Sequence, residues 1–224
     1  MATRRTRIKI CGLTREADLD AAVEAGADAV GFVLYAKSPR HVAVERAAVL
    51  ARRLPAFVTP VALFVNARPA EVDAALQAIP HLLLQFHGDE APEACRAWQR
   101  PYLRAARMTP EFDLLDFATR FSDAAGLLLD AHVDGYGGGG KVFDWSLVPS
   151  AVPRPVVLSG GLHAGNVGPG ILKLRPWAVD VSSGVESAGS PKGIKDAAEM
   201  RRFCDAVRAA DGLAAAASGS DNPC

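Results

Sequence analysis

Two residues in this sequence have the chemistry to move protons, and each lies at the end of an apolar run. Cys11 closes "IKIC" (8–11), where the chain turns at once through Gly-Leu-Thr, and Asp130 sits near the end of "GLLLDA" (126–131). A thiol serves as a general base when its pKa, about 8.5 when free, is drawn toward neutrality. A carboxyl in a dry pocket can stay protonated and act as an acid. Two such groups on opposite sides of a substrate suit a proton shuttle. Taken singly, each has a plainer alternative. Free cysteine behaves as a small buried hydrophobe, and an aspartate at a strand end caps the loop that follows.

Other residues could hold a ligand. Arg40 lies in the loop "SPRH" (38–41); its guanidinium fork suits a carboxylate or phosphate, the alternative being a solvated loop arginine. His87 ends "LLLQFH" (82–87) and is a candidate to line the pocket, while Asp180 is expected as a buried, satisfied residue. The small-residue turns "SGG" (159–161) and "SSG" (182–184) let the backbone N–H groups of Gly160, Gly161, Ser183 and Gly184 approach an anion. Ordinary tight turns would use the same residues. "GYGGGGKVFDW" (135–145) reads as a mobile cover anchored by "FDW". No metal site is expected, because no H-x-x-x-H, H-E-x-x-H or carboxylate cluster at ligand spacing occurs.

The elements that position these residues follow from periodicity. Short apolar runs predict strands at 7–12, 29–35, 60–66, 82–87, 102–108, 126–131, 155–160 and 178–183. Helical spacing predicts helices at 15–26, 44–54, 69–79, 92–99, 112–122 and 194–210, with Gly26 as a stop and Pro69 as an opener. "SLVPSAV" (146–152) allows a turn or two of helix. "NVGPGILKLRP" (166–176) carries Gly168, Pro169 and Gly170, so its helix is expected to start late or to be irregular. The strands are near-continuous apolar runs, as in sheets covered on both faces. Strand–helix alternation means parallel strands with right-handed crossovers, and eight units in this length predict an α/β fold, a single (β/α)8 barrel. A doubly wound open sheet is the runner-up, but its G-x-G-x-x-G is absent from the first turn, "CGLTRE". The domain is placed at 1–212, and the low-complexity tail 213–224 is expected to be disordered.

In such barrels the active site sits at the C-terminal ends of the strands, and phosphate binds after the seventh and eighth. The two glycine turns fall there, so the ligand is expected to end in a phosphate. The first and sixth strands lie three places apart around the ring, which lets Cys11 and Asp130 face each other across the mouth.

Composition narrows the partners. The 25 basic residues balance 25 acidic ones, so no basic stripe draws nucleic acid or an anionic membrane. No apolar stretch nears the roughly 18 residues of a membrane span, and the N-terminal region has no apolar signal core, so a cytoplasmic enzyme is expected. Cys11, Cys95, Cys204 and Cys224 are widely spaced, without a C-x-x-C pair, which fits a reducing compartment.

In order along the chain, "KICGLT" (9–14), "GADAVGFV" (26–33), "SPRHV" (38–42), "LFVN" (63–66), "LQFHGDE" (84–90), "LLLDA" (127–131), "FDW" (143–145), "SGGL…NV" (159–167) and "DVSSGVES" (180–187) resemble the N-(5′-phosphoribosyl)anthranilate isomerase family of tryptophan biosynthesis. The resemblance spans positions 7 to 205. It implies an Amadori rearrangement of a phosphorylated aminoaldose to an aminoketose, with Cys11 as general base and Asp130 as general acid. It further implies Arg40 on the anthranilate carboxylate, and phosphate at 160–161 and 183–184. No cofactor is implied, since the iminium formed on ring opening is its own electron sink, and the expected assembly is a monomer or a homodimer. Arg104 stands where lysine is common and Ser159 where alanine is common; neither change removes a catalytic group. The alternatives are another phosphate-binding barrel isomerase or lyase, and a non-catalytic barrel that binds a phosphorylated metabolite. Cys11 paired with Asp130 is what separates the first reading from these.

Overall fold

The computed structural model describes residues 5–131 and 142–219. Eight strands, β1 (Arg7–Cys11), β2 (Ala29–Val33), β3 (Thr59–Phe64), β4 (Leu83–Phe86), β5 (Tyr102–Met108), β6 (Gly126–Ala131), β7 (Val156–Leu158) and β8 (Ala178–Val181), close into a barrel in sequence order. Every neighbouring pair is parallel, including β1 with β8. The helices between them are α1 (Glu16–Ala25), α2 (Val44–Ala51), α3 (Pro69–Ala78), α4 (Pro92–Arg96), α5 (Leu114–Arg120) and α6 (Val167–Leu174), and α7 (Ala197–Gly219) follows β8. Between β6 and β7 there is a single 3-10 turn, Trp145–Leu147, with Asp144 accepting from the Ser146 N–H at 2.8 Å. This is the short helical piece the sequence allowed, and Phe143 beside it is buried, so "FDW" is an anchor. Most of the glycine-rich segment that "FDW" follows, 132–141, lies outside the described residues.

Strand parity decides where each side chain goes. Ile8 and Ile10, Val30 and Phe32, Leu84 and Phe86, Leu127 and Leu129, and Val179 and Val181 pack in one cluster with helix residues such as Leu19, Ala47 and Val207. The alternate positions face the barrel axis. Leu103, Ala105, Leu128, Val157 and Ala178 form a separate small cluster, the apolar floor. On β1, β4, β5, β6, β7 and β8 the axis-facing residues one step further toward the strand C-termini are polar, Lys9 and Cys11, Gln85 and His87, Arg107, Asp130, Ser159 and Asp180, whereas β2 and β3 place Gly31, Val33 and Leu63 there. A polar layer over an apolar plug is how this fold sets an active site on a packed core.

Two expectations change. α6 starts at Val167 rather than late. Gly168 and Pro169 fall in the first turn, where N–H groups have no intrahelical acceptor and proline costs nothing. Gly170 is needed for packing, since a Cβ there would lie 2.8 Å from Leu158 and 3.1 Å from Trp145. The final helix starts and ends later than predicted. Asp196 caps it, accepting from the N–H groups of Ala198 and Glu199 at 2.8 and 3.0 Å. It then continues to Gly219, so 213–219 is helix and not tail. Alanine is the best helix former, and Ala214 is buried.

Candidate active site

Cys11 is buried at the end of β1. The thiol fits because β2 carries Gly31 beside it: a Cβ at Gly31 would stand 2.6 Å from the Cys11 Sγ. Two residues earlier on the same face, Lys9 donates to Asp180 Oδ1 at 2.7 Å, and both partners are buried. Asp180 Oδ2 in turn accepts from the Ser159 hydroxyl at 3.5 Å. Asp180 is thus the satisfied barrel residue that was expected, and it links the β1 side of the mouth to β7.

The thiol departs from expectation in one respect. Burial pushes the Cys11 pKa above its usual range, and the nearby Lys9 and Lys195 ammonium groups only partly offset this. Burial would lower Lys9, but Asp180 and Cys11 more than compensate, holding it above the usual ammonium value. Lys9 is therefore a fixed cation beside the thiol. Removing it leaves a buried carboxylate without its ion-pair partner, so Lys9→Met should destabilise the fold by about 3–5 kcal/mol. Denaturant unfolding checks this, and Lys9→Met/Asp180→Asn should recover part of the loss.

Asp130, on β6, is buried. Its Oδ1 accepts the Ala131 N–H at 2.9 Å, and its Oδ2 pairs with His87 Nε2 at 3.1 Å. Gln85 Nε2 lies 3.2 Å from His87 Nδ1. With the amide donating, Nδ1 accepts and the ring proton sits on Nε2, directed at Asp130. His87 thus lies in the polar layer at the mouth and touches the Asp130 carboxyl group.

The two glycine turns are brought together. A Cβ at Gly184 would overlap the carbonyl oxygen of Leu162, so the turn after β8 lies directly on the turn after β7. Gly160 and Gly161 have φ of 81° and 61°, values that favour glycine. Among the described residues, no protein acceptor takes the N–H of Gly160 or Gly161. Asn166 donates to the Gly161 carbonyl at 3.0 Å and fixes the turn. Ser183 and Gly184 stand in a 3-10 turn, Ser183–Val185. Gly160 also backs onto Asp130, since a Cβ there would be 3.0 Å from Oδ1. An anion held at these turns would therefore lie beside Asp130.

Arg40 is not a solvated loop residue. It is 6% exposed and lies over Gly12, the residue after the thiol, where a Cβ would meet its Cδ at 2.6 Å. Its Nε–H donates to Glu186 Oε1 at 2.6 Å and its Nη2–H to Oε2 at 3.0 Å.

Sequence reasoning passed over Lys9, Gln85, Arg107, Glu186 and Lys195. Period-two spacing was a usable signal for the first three: Lys9 is two before Cys11, Gln85 two before His87, and Arg107 shares its strand face with Ala105. Arg107 reaches the rim, donating to the His87 carbonyl at 3.4 Å and pairing with Asp89 at 3.3 Å. Arg104, by contrast, faces the helices; it donates to the carbonyls of Phe86 and Gly88 at 3.0 Å each and lies over the Phe121 ring. Arg104 therefore serves packing and not the site. Among the described residues no group of histidine, cysteine or carboxylate side chains could hold a metal ion, and no helix is long and apolar enough to cross a membrane.

Comparison with known proteins gives the family. The family model described as N-(5′-phosphoribosyl)anthranilate (PRA) isomerase matches residues 8–206. The N-(5′-phosphoribosyl)anthranilate isomerase of Methylibium petroleiphilum is 74% identical over 212 residues, 95% of this chain and 98% of that protein. The crystal structure of phosphoribosyl anthranilate isomerase from Thermotoga maritima superposes with a TM-score of 0.81 at 39% identity, covering 91% of this chain and 99% of that one. A further isomerase structure, in complex with reduced 1-(o-carboxyphenylamino)-1-deoxyribulose 5-phosphate, matches with a TM-score of 0.78 at 37% identity over 91% of this chain and 99% of that one. With most of its length matched by the family model and by close relatives, this chain belongs to the N-(5′-phosphoribosyl)anthranilate isomerase family.

Proposed function

We propose that this protein catalyses the Amadori rearrangement of N-(5′-phosphoribosyl)anthranilate, with Asp130 as general acid and Cys11 as general base. Asp130 protonates the furanose ring oxygen as its bond to C1 of the sugar breaks, and the nitrogen lone pair closes the C=N bond of the iminium. The Cys11 thiolate removes the proton from C2; the C–H electrons form the C1–C2 double bond and the iminium pair returns to nitrogen. The enolamine then loses its hydroxyl proton and gains one at C1, giving the ketone. The phosphate rests on the turns at 160–161 and 183–184, and the anthranilate carboxylate on Arg40.

The observation that supports this most is a run of polar contacts along one side of the barrel mouth. Cys11, Lys9, Asp180, Ser159, Gly160, Asp130 and His87 succeed one another around β1, β8, β7, β6 and β4, each packed on or bonded to the next or sharing its strand. The two proton-transfer groups thus share one surface, with the anion turns between them. A different phosphate-binding barrel would not need a thiol there.

The test follows the fluorescence of phosphoribosylanthranilate as purified protein consumes it. Multiple turnovers are expected without added cofactor or metal, with the aminoketose phosphate as product. Disappearance of substrate no faster than its spontaneous breakdown would overturn the proposal.

A further inference from the structure

Arg40 offers a ligand only part of its hydrogen-bonding capacity, and the structure shows which part. A guanidinium has two edges able to take a carboxylate in fork fashion, one formed by Nε with one Nη and one formed by the two Nη groups. The first is occupied by Glu186 through the 2.6 and 3.0 Å bonds. Among the described residues Nη1 has no protein partner, so the second edge is open.

Glu186 is itself held firmly. Its Oε1 also accepts from the Gly193 N–H at 3.0 Å and from Lys195 Nζ at 3.3 Å. The Lys195 side chain is fully buried, and its ammonium also donates to the Ser182 carbonyl at 2.8 Å. Ser182 in turn donates from Oγ to the Cys11 carbonyl at 3.0 Å. The loop after β8 therefore fixes Glu186, Glu186 fixes the plane of Arg40, and the same network reaches the backbone of the thiol-bearing residue.

We propose that Glu186 is a positioning residue that sets substrate specificity: it takes one edge of the Arg40 guanidinium and so presents the other edge as a rigid, two-point receptor for the ring carboxylate of the substrate. This rests on Arg40 being the carboxylate contact. A free arginine would spend side-chain entropy on binding and could meet the carboxylate through one bond; a clamped one meets it with the geometry already set. The site would thus accept aminoaldose phosphates whose N-aryl group carries an ortho carboxylate and discriminate against those without it.

The experiment measures, by calorimetry, Kd for reduced 1-(o-carboxyphenylamino)-1-deoxyribulose 5-phosphate and for its counterpart lacking the ring carboxyl. The ratio of the two is the readout. In Glu186→Gln the ratio should fall at least ~10-fold, the worth of about one charge-assisted bond. In the same variant the loss for the true substrate should fall mainly on KM, because the interaction is made before the chemistry. Arg40→Ala should show the same collapse, and Arg40→Ala/Glu186→Gln should add nothing further. Lys195→Met, which disturbs the network but leaves the Glu186–Arg40 fork, should keep the ratio near wild type; a merely architectural role for the cluster would lower it too and would count against the proposal. If Glu186→Gln melts early because two cations are left facing no anion, the ratio is read on Glu186→Gln/Lys195→Met, in which the net charge of the cluster is preserved. A ratio that collapses in Arg40→Ala but stays intact in the Glu186 variants overturns the role of Glu186 and leaves Arg40 standing. A ratio unchanged in Arg40→Ala removes Arg40 as the carboxylate contact, and Glu186 with it.

Discussion

Cys11→Ala protein should consume phosphoribosylanthranilate at least ~100-fold more slowly than wild type, the low end of what a general base supplies, while melting at a similar temperature. The thiol has little structural work: it occupies a niche made by Gly31, and losing one sulfur from a polar layer removes a small volume. Its chemical work has no substitute nearby. Lys9, two positions back, is tied to Asp180, and its pKa is raised, so it is a poor base. A variant turning over near the wild-type rate would sink the mechanism. The same residue gives a pH dependence whose sign is fixed by its surroundings. Burial raises the Cys11 pKa above the usual thiol value, and in the proposed mechanism the active form is the thiolate. Below that pKa the fraction of base grows with pH, so kcat/KM should climb through the alkaline range in which free thiols titrate and beyond it. Lys9 lowers the thiol, so its removal should move that limb to still higher pH. A rate profile on a purified series checks both directions.

The barrel was legible because its signals are local. Apolar runs bounded by turn residues gave all eight strands, and Cys11, Asp130 and the glycine turns could be placed at the mouth because strand ends are where this fold keeps its chemistry. The misjudged pieces depended on context. Gly168 and Pro169 look like helix breakers until they are seen to occupy a first turn, and Gly170 is explained only by the closeness of Leu158 and Trp145. The Ala214 region looks like low-complexity tail until α7 buries one of its faces. The site was legible where a residue acts through its own type and obscure where it acts through a partner. Arg40 could be nominated, but nothing in the spacing of 40 and 186 announces that the two are joined. The depressed pKa of Lys195, set first by burial and opposed by Glu186, is likewise a property of the fold rather than of the motif.

Asp130→Asn should lower kcat by at least ~100-fold, as expected for loss of a general acid, and it separates proton donation from shape. Asparagine keeps the volume and can still accept the Ala131 N–H. It fails at the other end, where its amide would bring a donor to His87 Nε2, a donor as well when Gln85 donates to Nδ1. His87 could adapt only by changing tautomer, which would set it against Gln85. The variant therefore cannot take up a proton and deliver it to the ring oxygen, and it also strains the pair with His87 that orients residue 130 in its carboxylate form. Binding should suffer far less. Reduced 1-(o-carboxyphenylamino)-1-deoxyribulose 5-phosphate is already acyclic and asks for no ring opening, so its Kd should stay within about tenfold of wild type, the worth of a single lost bond. The decisive pattern is a kcat loss far larger than the loss of affinity for that analogue. If the two fell together, Asp130 would be holding the ligand rather than protonating it, and if neither fell, the acid would have to be sought elsewhere on the rim, with His87, 3.1 Å from Asp130, the first group to examine.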